Sequence, residues 1–400
     1  MQTAIVLSQG TELTTGQTLD SNAHWICQQL WNRGYHVEYV QILPDSPKQL
    51  IRAFQESVQR ASLIVSTGGL GPTEDDHTLY CLSRAFQMNL EFVPAVWTHI
   101  EQFFQRRGRT PSEQNRKMSY LPVGSTVLNN EIGSAVGVLI QKPNWSLYCF
   151  PGVPTEMKRM FVDNIPTLSA KSSLIKIATL GIGESAISDR IRGQIPQEVQ
   201  IGYQASRKGN IIKLQVPEQV DPAPLIQAIT TELQPYVFGV HQTDLATIIG
   251  QLLNEHQQKL AIAESCTAGK IASWVASISG SSAYLQAGFV VYSNAAKEEY
   301  CDVPPEMIRQ YGAVSQQVAT ALSVGVRQRN QTDWGIAVTG IAGPSGGTPT
   351  KPVGTVYISC SGPQQCVVEH FQFSGTRNQI TDSASAHALF MLYKQLRSMT

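Results

Sequence analysis

The first 170 residues of the chain combine two hydrophobic periods. Short apolar or alternating runs predict strands at residues 3–7, 35–43 and 61–66. Apolar positions recur at helical spacing around residues 25–31, where Asp20 or Ser21 could cap the helix, and again in residues 49–60. Strands that alternate with helices are typical of a parallel sheet with crossover helices. We therefore predict an α/β domain with an open, mostly parallel sheet in three layers over residues 1–170.

The pattern changes in residues 171–241. Strands are predicted at residues 174–180, 199–205 and 211–216. The last two flank Lys208-Gly209-Asn210, which favours a hairpin turn. One helical pattern follows residues 181–185 and ends at Arg192, and a second covers residues 222–234. This segment is predicted to be a small α+β domain.

Residues 242–400 return to alternating strands and helices. The predicted strands are at residues 260–263, 285–292, 334–338, 353–361 and 366–373, and the predicted helices at 245–256, 270–277, 316–329 and 378–396. This pattern predicts a second α/β domain. Three domains also suit the length, because 400 residues exceed what one core usually organises.

Composition narrows the class of protein. Lys and Arg together number 30, as do Asp and Glu, so no positive surplus exists to bind a nucleic-acid backbone or an anionic membrane. The seven cysteines are scattered and form no Cys-x-x-Cys pair, which argues against a disulfide framework or a zinc site. We find no pattern of a signal peptide or a membrane span. A reduced, cytoplasmic enzyme is expected.

Acidic residues and glycines follow the predicted strands of the first domain. Glu12, Asp45, Asp75 and Asp76 are the acidic residues, and Gly68, Gly69 and Gly71 are the glycines. Ligands of open α/β sheets sit at the carboxyl ends of strands, where glycines let the backbone approach a phosphate. We predict that the four carboxylates hold a divalent metal ion that bridges phosphates. The alternative is a tight turn followed by an acidic helix N-terminus.

The segment after residues 260–263 is a turn of small hydroxyl residues before a helix. Ser265 is predicted to cap that helix, and the free N–H groups at its start could bind an anion. On local sequence alone, a structural cap is the more common explanation. A second glycine-rich loop, residues 339–347, suits close approach of a ligand but lacks the Gly-Lys-Ser/Thr of a Walker A loop.

The third domain has no histidine near its candidate serines, so a Ser-His-Asp triad has little support. A Ser-Lys pair fits better: a lysine made neutral by burial could take the proton of Ser282. Lys297 follows an apolar strand and could be that base. Tyr292 could orient the proton, Thr339 could lie near an oxyanion, and Arg377 suits a phosphate. A turn serine, a solvated lysine and a surface arginine are the ordinary alternatives.

The first domain resembles the CinA family. The run TGGLGPTEDD at residues 67–76 carries the resemblance, with further matches at residues 10–16, 115–117, 130–137 and 151–157. In that family the domain is similar to molybdopterin-binding domains. The resemblance implies a metal-dependent ADP-ribose pyrophosphatase, and it implies a KH-like fold for the middle segment.

The third domain resembles the CinA C-terminal domain, which also occurs alone as a nicotinamide-mononucleotide deamidase. The matching runs are AESCTAG at 263–269, GSSAY at 280–284, YSNAAK at 292–297, GAVS at 312–315, TGIAGPSGGTPTKPVGTVY at 339–357 and FSGTR at 373–377. The resemblance implies Ser282 and Lys297 as the catalytic pair, assisted by Tyr292 and Thr339. It implies substrate contacts at Ser265, Thr267, Gly340, Gly343 and Arg377. Ala268 and Thr376 depart from a usual glycine and a usual aspartate.

These observations predict an enzyme of pyridine-nucleotide salvage with two activities. The third domain would deamidate nicotinamide mononucleotide without a cofactor, and the first would cleave ADP-ribose with a divalent metal. We expect small nucleotides as partners, a homodimer, and no membrane. The alternatives are a nucleotide- or molybdopterin-binding protein without turnover, and a nucleic-acid partner in competence. The neutral charge and the missing GXXG loop in the middle segment argue against the second.

Overall fold

The fold is described from a computed structural model that covers residues 2–168 and 172–398. These residues form two compact units that divide between Ser172 and Ser173. The predicted boundary between residues 170 and 171 lies outside the described residues. No helix in the described ranges is both long and apolar enough to cross a membrane.

The first unit contains eight strands among its described residues, in two sheets. They are β1 (Thr3–Gln9), β2 (His36–Leu43), β3 (Leu63–Thr67), β4 (Leu90–Phe92), β5 (Tyr120–Pro122), β6 (Thr126–Leu128), β7 (Gly137–Lys142) and β8 (Trp145–Phe150). The helices are α1 (Thr11–Thr14), α2 (Ser21–Asn32), α3 (Pro47–Arg60), α4 (Thr78–Phe86), α5 (Pro94–Gln105) and α6 (Pro154–Asn164). A 3-10 helix covers Glu113–Ser119.

The main sheet of this unit has the strand order β2-β1-β3-β8-β7-β6. The first four strands are parallel, whereas β7 and β6 are antiparallel. Alternate residues of β1 enter different cores: Ile5 and Leu7 pack with α3 to α5, and Ala4 and Val6 pack with α2 and α6. Helices therefore cover both faces, and the predicted three-layer, mostly parallel fold is confirmed.

The second unit contains two sheets. Its strands are β9 (Ser172–Thr179), β10 (Gln200–Ser206), β11 (Gly209–Pro217), β12 (Val237–Val240), β13 (Leu260–Glu264), β14 (Leu285–Val290), β15 (Trp334–Gly340), β16 (Thr355–Ser361) and β17 (Cys366–Gln372). Its helices are α7 (Glu184–Ile191), α8 (Pro222–Glu232), α9 (Leu245–Glu255), α10 (Lys270–Ala276), α11 (Asn294–Cys301), α12 (Pro305–Tyr311), α13 (Gln316–Arg329) and α14 (Arg377–Arg397). The 3-10 helices are Arg192–Gln194 and Ser281–Ala283.

The larger sheet of the second unit has the order β14-β13-β15-β16-β17. Strands β14, β13 and β15 are parallel, so their carboxyl ends meet at one edge of the sheet. Leu260 and Ile262 face a core that includes α9 and α14, and Ala261 and Ala263 face α11 and α13. The α/β fold predicted for the last third is confirmed.

The smaller sheet has the order β10-β11-β9-β12 and comes from the middle segment. The predicted hairpin is present, but its turn is Arg207-Lys208: Ser206 pairs with Gly209, so Gly209 and Asn210 of the predicted turn belong to β11. Ala178 and Phe238 of this segment join the core of the last third, where Phe238 contacts Phe390 edge to face. The middle segment therefore shares one compact unit with the last third. A KH-like identity for it stays a prediction.

Candidate functional sites

A pocket of about 470 Å³ lies at the carboxyl ends of the parallel strands in the first unit. The register places Gln9 beside Leu43, and Thr67 beside Phe150, so β1, β2, β3 and β8 end together. All seven residues that the sequence predicts for this site line the pocket: Glu12, Asp45, Gly68, Gly69, Gly71, Asp75 and Asp76.

Two glycines at the base of the pocket could not carry a side chain. Gly68 and Gly69 have positive φ angles of 106° and 67°. A Cβ at Gly68 would lie 2.6 Å from the Gln9 carbonyl oxygen, and one at Gly69 would lie 2.4 Å from Thr78 Oγ1. Thr78 Oγ1 is 2.7 Å from Gln9 Oε1 and 2.9 Å from the Gly68 carbonyl oxygen. The loop is therefore fixed from below, with its open side toward the pocket.

The four predicted metal ligands divide into two pairs. Asp45 accepts hydrogen bonds from Thr11 N and Oγ1 at 2.8 and 2.9 Å, and Asp76 accepts from Thr73 N and Oγ1 at 2.8 and 2.5 Å. These two carboxylates hold turns together. Glu12 and Asp75 are exposed, and their side chains form no hydrogen bond or ion pair within the described residues. They are the carboxylates free to meet a ligand.

The side chains of the described residues do not by themselves form a metal site. No group of three or more His, Cys, Asp or Glu side chains in residues 2–168 and 172–398 is arranged to hold an ion. Magnesium, however, commonly binds one or two carboxylates together with substrate phosphates and water. The oxygen donors of Glu12 and Asp75 fit that mode, in which a diphosphate completes the ligand set.

Glu156 is a pocket residue that the sequence reasoning missed. It lies in the first turn of α6, just after β8, and it lines the same pocket. Asn130 Nδ2 donates to its Oε2 at 2.7 Å. Its position after the end of a parallel strand is the signal that could have found it, because the other acidic residues were recognised by that rule.

In the second unit, the carboxyl edge of the large sheet collects most of the predicted deamidase residues. Ser265 and Thr267 follow β13, and Tyr292 and Lys297 follow β14. Thr339 and Gly340 end β15, Gly343 lies in the next loop, and Arg377 begins α14. Ser265, Thr267, Thr339 and Lys297 are all buried.

Lys297 has the environment of a candidate base. Its side chain is 1% exposed, and burial lowers the pKa of its ammonium group. Nζ donates to the carbonyl oxygens of Val291, Tyr292 and Ser293 at 2.8, 3.2 and 3.4 Å. Desolvation is the largest cause of the lowered pKa, and the neighbouring Cys266 and Cys301 act in the opposite direction. A neutral amine at this position is therefore easier to form than in water.

Arg377 joins three parts of this edge. Its Nη1 donates to the Gly343 carbonyl oxygen and its Nη2 to Tyr292 Oη, each at 2.8 Å. Tyr292 consequently keeps its own proton to donate. Thr339 donates its hydroxyl proton to the Ala313 carbonyl oxygen at 2.8 Å. Thr339 is thus oriented to accept a hydrogen bond from a ligand, whereas the sequence reasoning placed it near an oxyanion.

The helix start after β13 is not an anion site, contrary to the sequence-based expectation. The N-cap of α10 is Gly269, and Ser265 does not cap it. The carboxylate of Glu264 accepts from the N–H groups of Gly269, Ile271 and Ala272 at 3.0, 3.1 and 2.8 Å. The chain's own buried carboxylate therefore occupies the positive end of this helix.

The buried cysteine in the same turn is not an alternative nucleophile. Burial raises the pKa of Cys266 to about 12, although Arg377 and Lys297 oppose the rise. The thiol is therefore protonated near neutral pH. Thr267 Oγ1 is also buried and has no hydrogen-bond partner among the described residues.

Ser282 lies away from these residues. It is exposed, in the 3-10 helix Ser281–Ala283 that precedes β14, whereas Lys297 follows β14. Tyr284 O accepts from Leu260 N at the amino end of β13, and Val291 N donates to Glu264 O at its carboxyl end. One chain therefore holds Ser282 and Lys297 at opposite ends of a strand.

Comparisons with known proteins agree with both units. A family model described as the CinA C-terminal domain matches residues 242–396, and one described as a probable molybdopterin binding domain matches residues 5–170. A CinA-like protein from Citrifermentans bemidjiense is 37% identical over 98% of this chain and 97% of its own length. This chain belongs to the CinA family. The predicted resemblance is confirmed.

Two further proteins are similar to this chain. A putative competence-damage inducible protein from Halothermothrix orenii is 34% identical over 98% of both chains. The crystal structure of the competence/damage inducible protein CihA from Agrobacterium tumefaciens is 35% identical, covers 38% of this chain and 93% of its own, and has a TM-score of 0.37.

The two departures from the CinA pattern have different structural consequences. Ala268 takes a left-handed conformation with φ 52°, which suits the usual glycine better than alanine. Thr376 is the N-cap of α14 and forms a capping box with Gln379, whose Oε1 accepts from Thr376 N at 2.8 Å. Threonine thus performs the capping that an aspartate could also perform.

Proposed function

We propose that the second unit hydrolyses the carboxamide of nicotinamide mononucleotide to nicotinic acid mononucleotide and ammonia. The burial of Lys297, which lowers the pKa of its amine, is the observation that carries the proposal. A buried, readily neutralised lysine at the carboxyl edge of a parallel sheet is suited to act as a general base. The resemblance of the surrounding motifs to the nicotinamide-mononucleotide deamidases supports the choice of substrate.

The reaction is a two-step acyl transfer. The first step requires Ser282 and Lys297, which lie at opposite ends of β14 within one chain, to meet in an assembled site. Ser282 Oγ attacks the carboxamide carbon and passes its proton to neutral Lys297 Nζ. The carbon–nitrogen bond then breaks, Lys297 returns the proton to the leaving nitrogen, and ammonia departs. A water molecule then gives a proton to Lys297 and attacks the acyl ester; the ester bond breaks, and Lys297 returns the proton to Ser282 Oγ. Tyr292 and Thr339 orient the carboxamide, while Arg377 and the main chain near Gly343 bind the phosphate end.

The test is to measure ammonia and nicotinic acid mononucleotide formed by the purified full chain. Lys297→Ala is expected to lose at least about 100-fold in kcat, since a positioned base typically contributes that much. Lys394→Ala is the matched control, because this lysine pairs with Glu369 on the same unit. Equal activity of Lys297→Ala and the parent would refute the role of Lys297.

We propose a second activity for the first unit, the hydrolysis of ADP-ribose to AMP and ribose 5-phosphate. The glycine loop with its open side toward the 470 Å³ pocket is suited to a diphosphate. Glu12 and Asp75 would hold a divalent cation together with that diphosphate. The cation would supply charge neutralisation and an activated water when bound.

This second activity is tested by following AMP release from ADP-ribose with magnesium or manganese and with a chelator. Release that requires the cation is expected. Binding of ADP-ribose without any product would instead favour a nucleotide-binding protein without turnover. For the protein as a whole, we expect small nucleotides as binding partners and a cytoplasmic location.

A further inference from the structure

Strand β14 is an edge strand, and nothing in the described residues protects that edge. It pairs with β13 on one side, and its sequence, Leu285 to Val290, contains no charged residue and no proline. The opposite edge of the same sheet, β17, carries Glu369 and His370. Edge strands are usually blunted by charge, proline or bulges, because their free backbone groups can pair with another chain. The β14 edge is therefore open to a partner strand.

The same strand separates the two residues that the proposed chemistry requires. A six-residue strand is about 20 Å long at about 3.3 Å per residue. Strand β14 is held extended over this whole length, because its first residue, Leu285, pairs with Leu260 of β13 and its last residue, Val290, pairs with Glu264. Ser282 precedes the strand and Lys297 follows it, so one copy cannot bring the Ser282 hydroxyl to the Lys297 amine.

We propose that two copies of this chain pair antiparallel along β14, and that each active site takes Ser282 from one copy and Lys297 from the other. This inference rests on the proposed deamidase function. Full antiparallel overlap of the strand places Leu285 opposite the partner's Val290. Ser282, in the 3-10 helix just before the strand, then lies at the same end of the pair as the partner's Ser293, which follows the strand. Within one chain, the Ser293 carbonyl oxygen lies 3.4 Å from Lys297 Nζ, so this register places Ser282 at the end of the pair that holds the partner's base.

The surface beside the edge suits such a contact. Val290 is 51% and Tyr292 58% exposed, and Tyr300, which stacks on Phe289, is 41% exposed. A two-fold contact uses the same patch twice, so it would bury each of these side chains in both copies. It would also form two equivalent sites, each with the Tyr292 and Arg377 of the copy that supplies Lys297.

Heterodimers with two different tags test the inference. A Ser282→Ala chain is co-expressed with a Lys297→Ala chain, and dimers that carry both tags are isolated. One of the two sites then has an intact Ser282 and an intact Lys297, so about half of the parental ammonia release per dimer is expected. Either variant alone is expected to be inactive.

The reciprocal heterodimer joins a parental chain to a Ser282→Ala/Lys297→Ala chain. Shared sites predict no activity, because each site then lacks either the serine or the lysine. Sites within one copy predict the reverse result for both heterodimers: an inactive first pair and a half-active second pair. That reverse result would overturn the inference while leaving the deamidase function intact.

A parent that releases no ammonia would remove the proposed function instead. Hydrogen exchange then decides the strand pairing. Protection of the amides of residues 285–290 that appears with dimer formation, as measured by sedimentation, is expected. A monomer, or a dimer in which those amides exchange as fast as in the monomer, would overturn the pairing.

Discussion

Lys297 shows how one buried residue can link chemistry to stability. Its side chain is buried and its amine contacts three carbonyl oxygens, so the amine loses most of its hydration. Desolvation disfavours the ammonium form, which makes the neutral base accessible and also makes the charged form costly to bury. Function at this position is therefore expected to reduce stability at neutral pH.

This cost should appear in the pH dependence of unfolding. The pKa of Lys297 is lower in the folded chain than its ordinary value of 10.5. Between the two values the unfolded chain binds more protons, so the free energy of unfolding rises with pH across that interval. Lys297→Met should remove this rise, as measured by urea unfolding at a series of pH values. Lys394→Met should keep it, and a rise that persists in Lys297→Met would contradict the assignment.

Ala268 offers a second residue-scale prediction. Its φ of 52° costs an L-residue about 1–2 kcal/mol, whereas glycine loses about 0.5–1 kcal/mol of additional chain entropy on folding. Ala268→Gly should therefore stabilise the chain by up to about 1 kcal/mol in urea unfolding. Ala268→Val should destabilise it, because a branched side chain fits this conformation worse. A destabilising glycine would show that the Ala268 side chain forms contacts that outweigh the strain.

At the scale of elements, Glu264 controls the start of α10. Three backbone N–H groups depend on its carboxylate, and it is 1% exposed. Glu264→Ala should cost about 3 kcal/mol or more, because each buried donor left without an acceptor costs about 1–3 kcal/mol. Urea unfolding measures this loss. Glu369→Ala, which removes a partly exposed ion pair with Lys394, should cost less than about 1 kcal/mol; equal costs would contradict the capping role.

The sequence predicted elements well wherever local signals were strong. Helix α13 has the predicted bounds, Gln316–Arg329, and Asp20 caps α2 by accepting from Ala23 N at 2.9 Å. No strand or helix was predicted between residues 67 and 170, where the structure has β4 to β8 and α4 to α6. Strand β12 and helix α12 were also missed, because four and seven residues are too few to reveal a period. The prediction that Ser265 caps α10 was wrong, because nothing local in the sequence indicates that Glu264, at the end of the preceding strand, accepts from the N–H groups of the helix.

The candidate sites were predictable to different degrees for a topological reason. The residues of the first unit follow the ends of parallel strands, so a simple rule brings them together in one pocket. Ser282 and Lys297 flank a single strand, so the same rule keeps them apart. Sequence motifs name such a pair but do not tell whether one chain or two assemble it.

The whole molecule joins two units for which we propose different chemistry, and we expect the two activities to be separable. Ser282→Ala should abolish ammonia release from nicotinamide mononucleotide and leave AMP release from ADP-ribose unchanged. Asp75→Asn should do the reverse, because it removes a carboxylate that has no other partner among the described residues.

Asp75 is a sharper probe than its neighbour. Asp76 also fixes the turn at Thr73, so loss of activity in Asp76→Ala could reflect a displaced loop rather than a lost ligand. The two residues can be told apart by raising the magnesium concentration. A missing metal ligand weakens cation affinity, so excess cation should partly restore AMP release in Asp75→Asn. If Asp76→Ala instead displaces the loop, excess magnesium should not restore AMP release in that variant. Loss of both activities in Ser282→Ala, or in Asp75→Asn, would mean that the two units depend on each other for function.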